Sequence, residues 1–257
     1  MEMDTLPYER LIIPLFIGAI AKYKHWLTFS GAILGTFFGT ITILSGWTEA
    51  LCLLAFFLLG TLSTKLSNNL QRQRLKQNNN TEDKFVVVSY NREANETEEK
   101  KGRTAGQVFA TAGIPTFLCF LLLLADVQDQ RFSYLNEEGS RKWLKSLIVS
   151  YFACSCADTF ASEFGVLSRR RPLLLSTLKP VPRGTDGAIS LEGTLAALLG
   201  GAIIGLTAAF DPFLNGSSVF CVLKYSLVGF IGSMLDSAFG CFLQPVSFLS
   251  KHPEVND

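Results

Sequence analysis

Apolar and polar positions along this chain segregate into long blocks instead of alternating at a fixed short period. Leu27 to Thr48, Thr104 to Ala125 and Gly193 to Phe210 contain no charged side chain, and each approaches the roughly 20 residues that a helix needs to cross a bilayer core. Ala50 to Thr64, Trp143 to about Phe164 and Tyr225 to Leu243 form three more apolar runs, the last two broken only by Lys145, Asp158, Glu163 and Asp236. Leu11 to Ala21 is shorter and contains Pro14, so it predicts either a shallow first span extended by Leu6 to Arg10 or an interfacial helix. The pattern predicts an all-α, polytopic integral membrane protein with six or seven transmembrane helices, the count turning on Leu11 to Ala21.

Five segments follow. Residues 1–26 hold the short apolar run, 27–64 a helical hairpin turning near Ser45 to Glu49, and 65–103 a polar loop. Residues 104–245 form the main membrane domain, ended by Gln244-Pro245, and 246–257 a polar tail. Gly31, Gly35 and Gly39 recur at four-residue spacing and predict one helix face of close backbone approach. Gly113-Ile114-Pro115 predicts a kink. The loop from Lys65 to Arg103, with nine basic and six acidic residues and an Asn-rich patch at Gln77 to Asn80, is too polar to bury a core and is expected to be flexible, with Phe85 to Tyr90 as one strand-like piece. Asn215-Gly216-Ser217 is a glycosylation sequon.

Composition adds to this pattern in three ways. In 257 residues, 48% are hydrophobic, 21 are Phe and mean hydropathy is +0.29, which suits a chain solvated by lipid. Net charge is +1, which says nothing about partners because the basic residues are segregated into loops; the lipid bilayer is the expected partner and nucleic acid is not. The basic loops, Lys65 to Arg103 and Gly165 to Asp186, fall on one side, whereas Ser45 to Glu49, Asp126 to Lys142 and Asp211 to Ser218 carry none, a few and none. The positive-inside rule therefore puts the first pair in the cytosol. Glu2 and Asp4 before the first apolar run do not suit a secretory signal; targeting by the spans themselves makes the endoplasmic reticulum or another endomembrane the expected location. Six cysteines without a CxxC pair, all in apolar runs, are expected to be small buried residues, and two distant histidines offer no zinc site.

Candidate chemistry concentrates between Ala157 and Gly193. Asp158, Glu163, Asp186 and Glu192 lie where two apolar segments meet a loop carrying Arg169, Arg170, Arg171, Lys179 and Arg183. Carboxylates at helix ends facing such a loop would suit a metal-bound phosphate; a solvated loop is the plainer alternative. The segment DTFASEFG at Asp158 to Gly165 is echoed by DSAFG at Asp236 to Gly240. On helices, Asp158, Ser162 and Gly165 share one face, and Gly229, Gly232, Ser233, Asp236 and Gly240 another. A carboxylate inside an apolar span costs roughly 2.5 to 3.5 kcal/mol to insert, so Asp236 is expected to bind or catalyse, the alternative being a helix-to-helix hydrogen bond or a protonated packing residue. Arg169 to Arg171 suit anchoring at anionic headgroups, while Lys179, Arg183 and Arg103 are open to either anchoring or phosphate contact. No GxxxxGK[ST] is present, so a nucleotide site here would not be a P-loop.

The chain resembles the transmembrane protein 19 family, whose membrane domain is shared with plant phytyl-phosphate kinase. The resemblance rests on Lys101-Gly102-Arg103 with Gln107-Val108, ADTFASEFG at Ala157 to Gly165, PRGTDGAISLEG at Pro182 to Gly193 and GFIGSMLDSAFG at Gly229 to Gly240. It implies transfer of a phosphoryl group from a nucleoside triphosphate, CTP or ATP, to an isoprenoid monophosphate, with Mg2+ as cofactor. Asp158, Glu163 and Asp236 are the expected metal ligands, Asp158 and Asp236 being the catalytic pair. Arg103, Lys179 and Arg183 would hold phosphates, with backbone N–H groups of the turn from Gly184 through Asp186 to Gly187, and the prenyl tail would lie among the Gly-lined spans. Phe160 and Asp186 replace the family's usual Trp and Asn, and the chain ends at Asp257 before the further Asn-containing motif that members usually carry; if that motif completes the site, an inactive or shortened form is expected. Two rivals are an ion-coupled transporter, with Asp158 and Asp236 holding the coupling ion, and a multi-pass membrane protein without catalysis.

Overall fold

The structure, a computed structural model, describes residues 8–77, 102–126, 138–168, 170–214 and 218–243. Among these are seven α-helices: α1 (Tyr8–Tyr23), α2 (Phe29–Ser45), α3 (Trp47–Gln77), α4 (Ala105–Asp126), α5 (Glu138–Gly165), α6 (Leu191–Ala208) and α7 (Ser218–Leu243). Two-residue strands β1 (Leu173–Leu174) and β2 (Ala188–Ile189) pair in the connection from α5 to α6. Phe85 to Tyr90, Arg169, the sequon at Asn215 to Ser217 and the tail lie outside the described residues.

Four helices are long and apolar enough to cross a bilayer, over Trp47–Gln73, Ala105–Ala125, Leu191–Ala208 and Ser218–Cys241; α2 is apolar but shorter. At 28 residues α5 has the length, but Lys145, Asp158 and Glu163 interrupt its apolar run, and each of the three has a defined place in the fold. Two boundaries differ from the sequence pattern. Helix α3 continues past Thr64 into the predicted flexible loop, because Ser67 and Gln71 are buried with hydrogen-bond partners. Helix α7 starts at Ser218 and not at Tyr225, the apolar stretch Val219 to Leu223 extending the helix upstream of Lys224, whose Nζ lies 4.7 Å from the Tyr225 ring centroid.

The chain divides into two compact units, one of residues 1–57, 91–152 and 206–221, the other of 58–90, 153–205 and 222–257. In the first, α1 and α4 both pack on α2. A side chain at Gly39 would press on Pro14, with Cβ atoms 3.3 Å apart, so the glycine spacing marks a packing face as its period suggested. The N-terminal ends of α2 and α4 are latched together. Leu27 and Arg103 form a parallel bridge in which Arg103 N–H donates to the Trp26 carbonyl at 2.9 Å and Thr28 N–H to the Arg103 carbonyl at 3.0 Å. Thr28 Oγ1 also caps α2 by accepting from Gly31 N–H at 3.1 Å. Gly102 sits at φ 100°, and a Cβ there would lie 2.6 to 2.9 Å from the Leu27 backbone. Only glycine fits, which accounts physically for the Lys101-Gly102-Arg103 motif.

The same unit buries a three-membered ion cluster. Lys145 Nζ donates to Glu49 Oε1 at 2.6 Å and to Asp211 Oδ2 at 2.9 Å, with the three side chains 7%, 0% and 2% exposed. Glu49 lies in the first turn of α3, where the helix dipole favours an anion. In the second unit, helices meet through glycine. Cβ atoms built at Gly200, Gly201 and Gly229 would stand 2.9, 2.6 and 2.9 Å from the carbonyl oxygens of Cys156, Tyr225 and Ala153, so α5, α6 and α7 touch backbone to backbone.

Removal of one partner from the ion cluster leaves an uncompensated buried charge, at a cost of about 3 to 5 kcal/mol. Lys145→Met is therefore expected to lower the thermal unfolding midpoint strongly, followed by size-exclusion fluorescence after heating. The triple change Glu49→Leu, Lys145→Met, Asp211→Leu is expected to recover most of that loss.

Candidate functional site

All the motif segments except Lys101-Gly102-Arg103 fall in the second unit, on α5, α6, α7 and the connection after α5. That connection folds into a small ribbon. β1 pairs antiparallel with β2, Leu173 opposite Ile189 and Leu174 opposite Ala188, and Leu173 also bridges to Pro180. Leu174 N–H donates to the Lys179 carbonyl at 3.0 Å and Val181 N–H to the Pro172 carbonyl at 2.9 Å. Prolines 172, 180 and 182 have no N–H to donate and so fit only where none is required, at an edge.

The turn that follows is stiff and pinned. Gly184 and Gly187 adopt φ of 81° and 76°, which favours glycine, and Thr185 Oγ1 donates to the Pro182 carbonyl at 2.8 Å. A Cβ at Gly187 would collide with Cys241 Sγ and would lie 2.6 Å from the Cys241 nitrogen. The Cys241 thiol donates to the Gly187 carbonyl at 3.1 Å. The turn is thus held against the last part of α7, about one helical turn beyond Asp236.

Asp158 of α5 faces α7. Its Oδ1 is 3.5 Å from Ser233 Oγ, Ser233 is fully buried, and Asp236 lies about one helical turn beyond Ser233 on the same face of α7. The face shared by Gly229, Gly232, Ser233, Asp236 and Gly240 is the one that meets α5, α6 and the turn: Gly232 packs on Cys154 and Gly240 on Gly187. Asp236 itself is exposed. Neither carboxylate forms an ion pair with a basic side chain among the described residues.

Glu163 does not join them. It sits five residues beyond Asp158, on a different side of α5, and meets α3. Thr64 Oγ1 donates to Glu163 Oε1 at 2.6 Å and Ser67 Oγ to the Glu163 carbonyl at 2.8 Å. Glu163 Oε2 is buried without a hydrogen-bond partner among the described residues. Glu163 thus stands apart from Asp158 and Asp236 as a helix-to-helix anchor, and among the described residues no three His, Cys, Asp or Glu side chains stand together as a metal-holding group. Arg103 belongs to the first unit, where its backbone closes the latch. Lys179 is exposed and Arg183 half-buried on the ribbon, with Gly184 and Asp186 exposed on the turn. Ser162, expected on the Asp158 face, turns its hydroxyl back to the carbonyls of Asp158 and Thr159, both at 3.0 Å.

Comparison with known proteins fixes the family. The integral membrane protein family DUF92 matches residues 12–255. The chain belongs to this family. Among its relatives, Protein PGR of Arabidopsis thaliana is 30% identical, the match covering 98% of this chain and 85% of the relative. An uncharacterised membrane protein of Methanocaldococcus jannaschii, MJ0933, is 27% identical over 98% of this chain and 91% of its own length. Protein VTE6, chloroplastic, of Arabidopsis thaliana is 27% identical over 83% of this chain and 56% of the relative. No solved structure matches. This DUF92 chain is thus a polytopic helical protein of the membrane, in contact with lipid.

Sequence reasoning missed Ser233 as a partner of Asp158, and the Glu49, Lys145 and Asp211 cluster. A signal for the cluster was present: one lysine within an apolar helix face and one acid in each of two connections placed on the same side by their charge. Gly187 supplies a test of the pinned turn. In Gly187→Val the strained φ and the clash with Cys241 are expected to favour the released turn by about tenfold or more, read as faster trypsin cleavage after Arg183 with helical circular dichroism unchanged.

Proposed function

We propose that this DUF92 protein is a membrane-embedded phosphotransferase that moves a phosphoryl group from a nucleoside triphosphate, CTP or ATP, to an isoprenoid monophosphate. The observation that carries the proposal is the contact of Asp158 on α5 with Ser233 on α7, at 3.5 Å and about one helical turn from Asp236 on the same α7 face, with the turn of residues 184–187 docked at the end of the same α7. The resemblance to the transmembrane protein 19 family and plant phytyl-phosphate kinase supports it.

Two carboxylates without basic partners fit Mg2+, which is usually held by one or two carboxylates together with substrate phosphates and waters. Bound there, Mg2+ would neutralise charge developing on the phosphoryl oxygens. The protein's own part is positioning. Ser233 sets the rotamer of Asp158, and Glu163 fixes the rotation of α5 on α3 through Thr64 and Ser67. Lys179 and Arg183 on the ribbon, with N–H groups of the stiff turn, would hold phosphate oxygens. Phosphoryl transfer needs alignment and charge neutralisation more than covalent chemistry, which such a set can supply without a P-loop. We place the ribbon and turn in the cytosol, where nucleoside triphosphates are available, and the protein in the endoplasmic reticulum or another endomembrane.

The test uses the purified chain in lipid nanodiscs with Mg2+, labelled CTP or ATP, and a panel of prenyl alcohols and monophosphates. Diphosphate formation is expected, reduced about 100-fold or more in Asp158→Asn and in Asp236→Asn, in line with loss of one electrostatic stabiliser, and less in Ser233→Ala. A folded sample that forms no product from any acceptor and binds no nucleotide would overturn the proposal. Cation-coupled uptake into liposomes that tolerates loss of Lys179 and Arg183 would replace it with transport.

A further inference from the structure

Glu192, one of the four carboxylates between Ala157 and Gly193, has no part in the site described above. It stands in the first turn of α6, where the helix dipole favours an anion, and it is exposed. Its Oε2 nevertheless accepts a hydrogen bond at 2.7 Å from Ser168 Oγ, on a residue only 1% exposed. Ser168 lies just past the end of α5, where its N–H donates to the Gly165 carbonyl at 3.1 Å and its hydroxyl also reaches the Arg170 carbonyl at 3.0 Å. A hydroxyl that donates to a carboxylate forms one of the stronger kinds of hydrogen bond.

Two further contacts close the same place. Ser190 Oγ caps α6 by accepting from Gly193 N–H at 3.1 Å, and it lies 3.5 Å from the Gly165 carbonyl. A Cβ at Gly193 would stand 2.9 Å from the Ala161 carbonyl oxygen and 3.3 Å from the Gly165 α-carbon, so the start of α6 lies directly on the last turn of α5. The ribbon between these helices is therefore tied twice, at its base by Ser168 and Glu192 and at its far turn by Gly187 and Cys241. One tie would leave a hinge about which Lys179 and Arg183 swing. Two ties, on α6 and on α7, remove it.

We infer that Glu192 is a positioning residue: by holding Ser168 it closes the base of the ribbon and so sets Lys179 and Arg183 for the phosphate groups of the substrates. This role rests on the phosphotransferase reading for what the ribbon holds. Glu192 touches neither phosphate nor metal in it, and among the described residues it joins no group of three metal-holding side chains.

A double-mutant cycle tests the pair, with Ser168→Ala, Glu192→Ala and the double variant as full chains in nanodiscs. The first readout needs no substrate. Leu175 N–H donates to the Gly187 carbonyl at 3.1 Å and joins the two sides of the ribbon, so its hydrogen exchange reports loosening of the base. The second readout is KM for the nucleoside triphosphate against kcat, with Mg2+ and a prenyl monophosphate. Each single change is expected to speed exchange and to raise KM by about tenfold or more, the order set by loss of a hydrogen bond to a charged group, with kcat falling far less. The double variant is expected to be no worse than either single one. Glu192→Gln keeps an oxygen that accepts from Ser168 and is expected to recover most of both effects. Additive exchange rates across the cycle, or exchange unchanged in both single variants, would overturn the inference. So would a Glu192→Gln variant that loses kcat as Glu192→Ala does, since that marks the carboxylate as a metal ligand. An unmodified chain that forms no product counts against the phosphotransferase reading alone, and the exchange cycle then decides whether Glu192 holds the ribbon.

Discussion

The contact on which the candidate site depends is the backbone-to-backbone approach of α5, α6 and α7 at Gly200, Gly201 and Gly229. Inside a membrane no hydrophobic force draws one apolar helix to another, because lipid solvates both equally well, and close van der Waals contact between small residues takes its place. Any side chain at these three positions would meet a carbonyl oxygen or an α-carbon of the neighbouring helix within about 3 Å. That closeness lets Ser233 reach Asp158, about one helical turn from Asp236 on α7. A bulkier interface would separate the two carboxylates and leave each as an isolated charge.

Polar groups within the helices follow a second rule, that each must find a partner where water is scarce. Lys145 satisfies it with Glu49 and Asp211, joining the starts of α3 and α5 to the connection after α6. Glu163 meets it in part, Oε1 accepting from Thr64 and its backbone carbonyl from Ser67, contacts that also hold α3 helical well past its apolar run. Asp158 and Asp236 differ from both groups. They lie on the paired faces of α5 and α7 around Ser233, and neither forms an ion pair with a lysine or arginine among the described residues.

The ribbon after α5 shows how a connection becomes part of such a site. Its hydrogen bonds run within the segment, its prolines remove donors at the edges, and Gly187 lets the backbone lie directly on the end of α7. Because α7 also carries Asp236, the turn and the carboxylate are fixed to one rigid element.

Blocks of uncharged residues determined the helices of this chain, because a span requires about 20 apolar residues whatever its neighbours are. Glycine spacing likewise determined which faces pack, and the echoed DTFASEFG and DSAFG segments singled out Asp158 and Asp236. Only the tertiary structure decided partners. Asp158 and Glu163 look equivalent along the chain, yet five residues of helix turn them to different neighbours, so one meets Ser233 and the other Thr64. Glu49, Lys145 and Asp211 lie far apart in sequence and form a cluster only once three segments converge. The boundary of α3 was also hidden, because Ser67 and Gln71 read as loop residues until their hydrogen bonds are formed. Partner choice depends on which faces meet in space, and a linear pattern holds the period of a helix but not its neighbours.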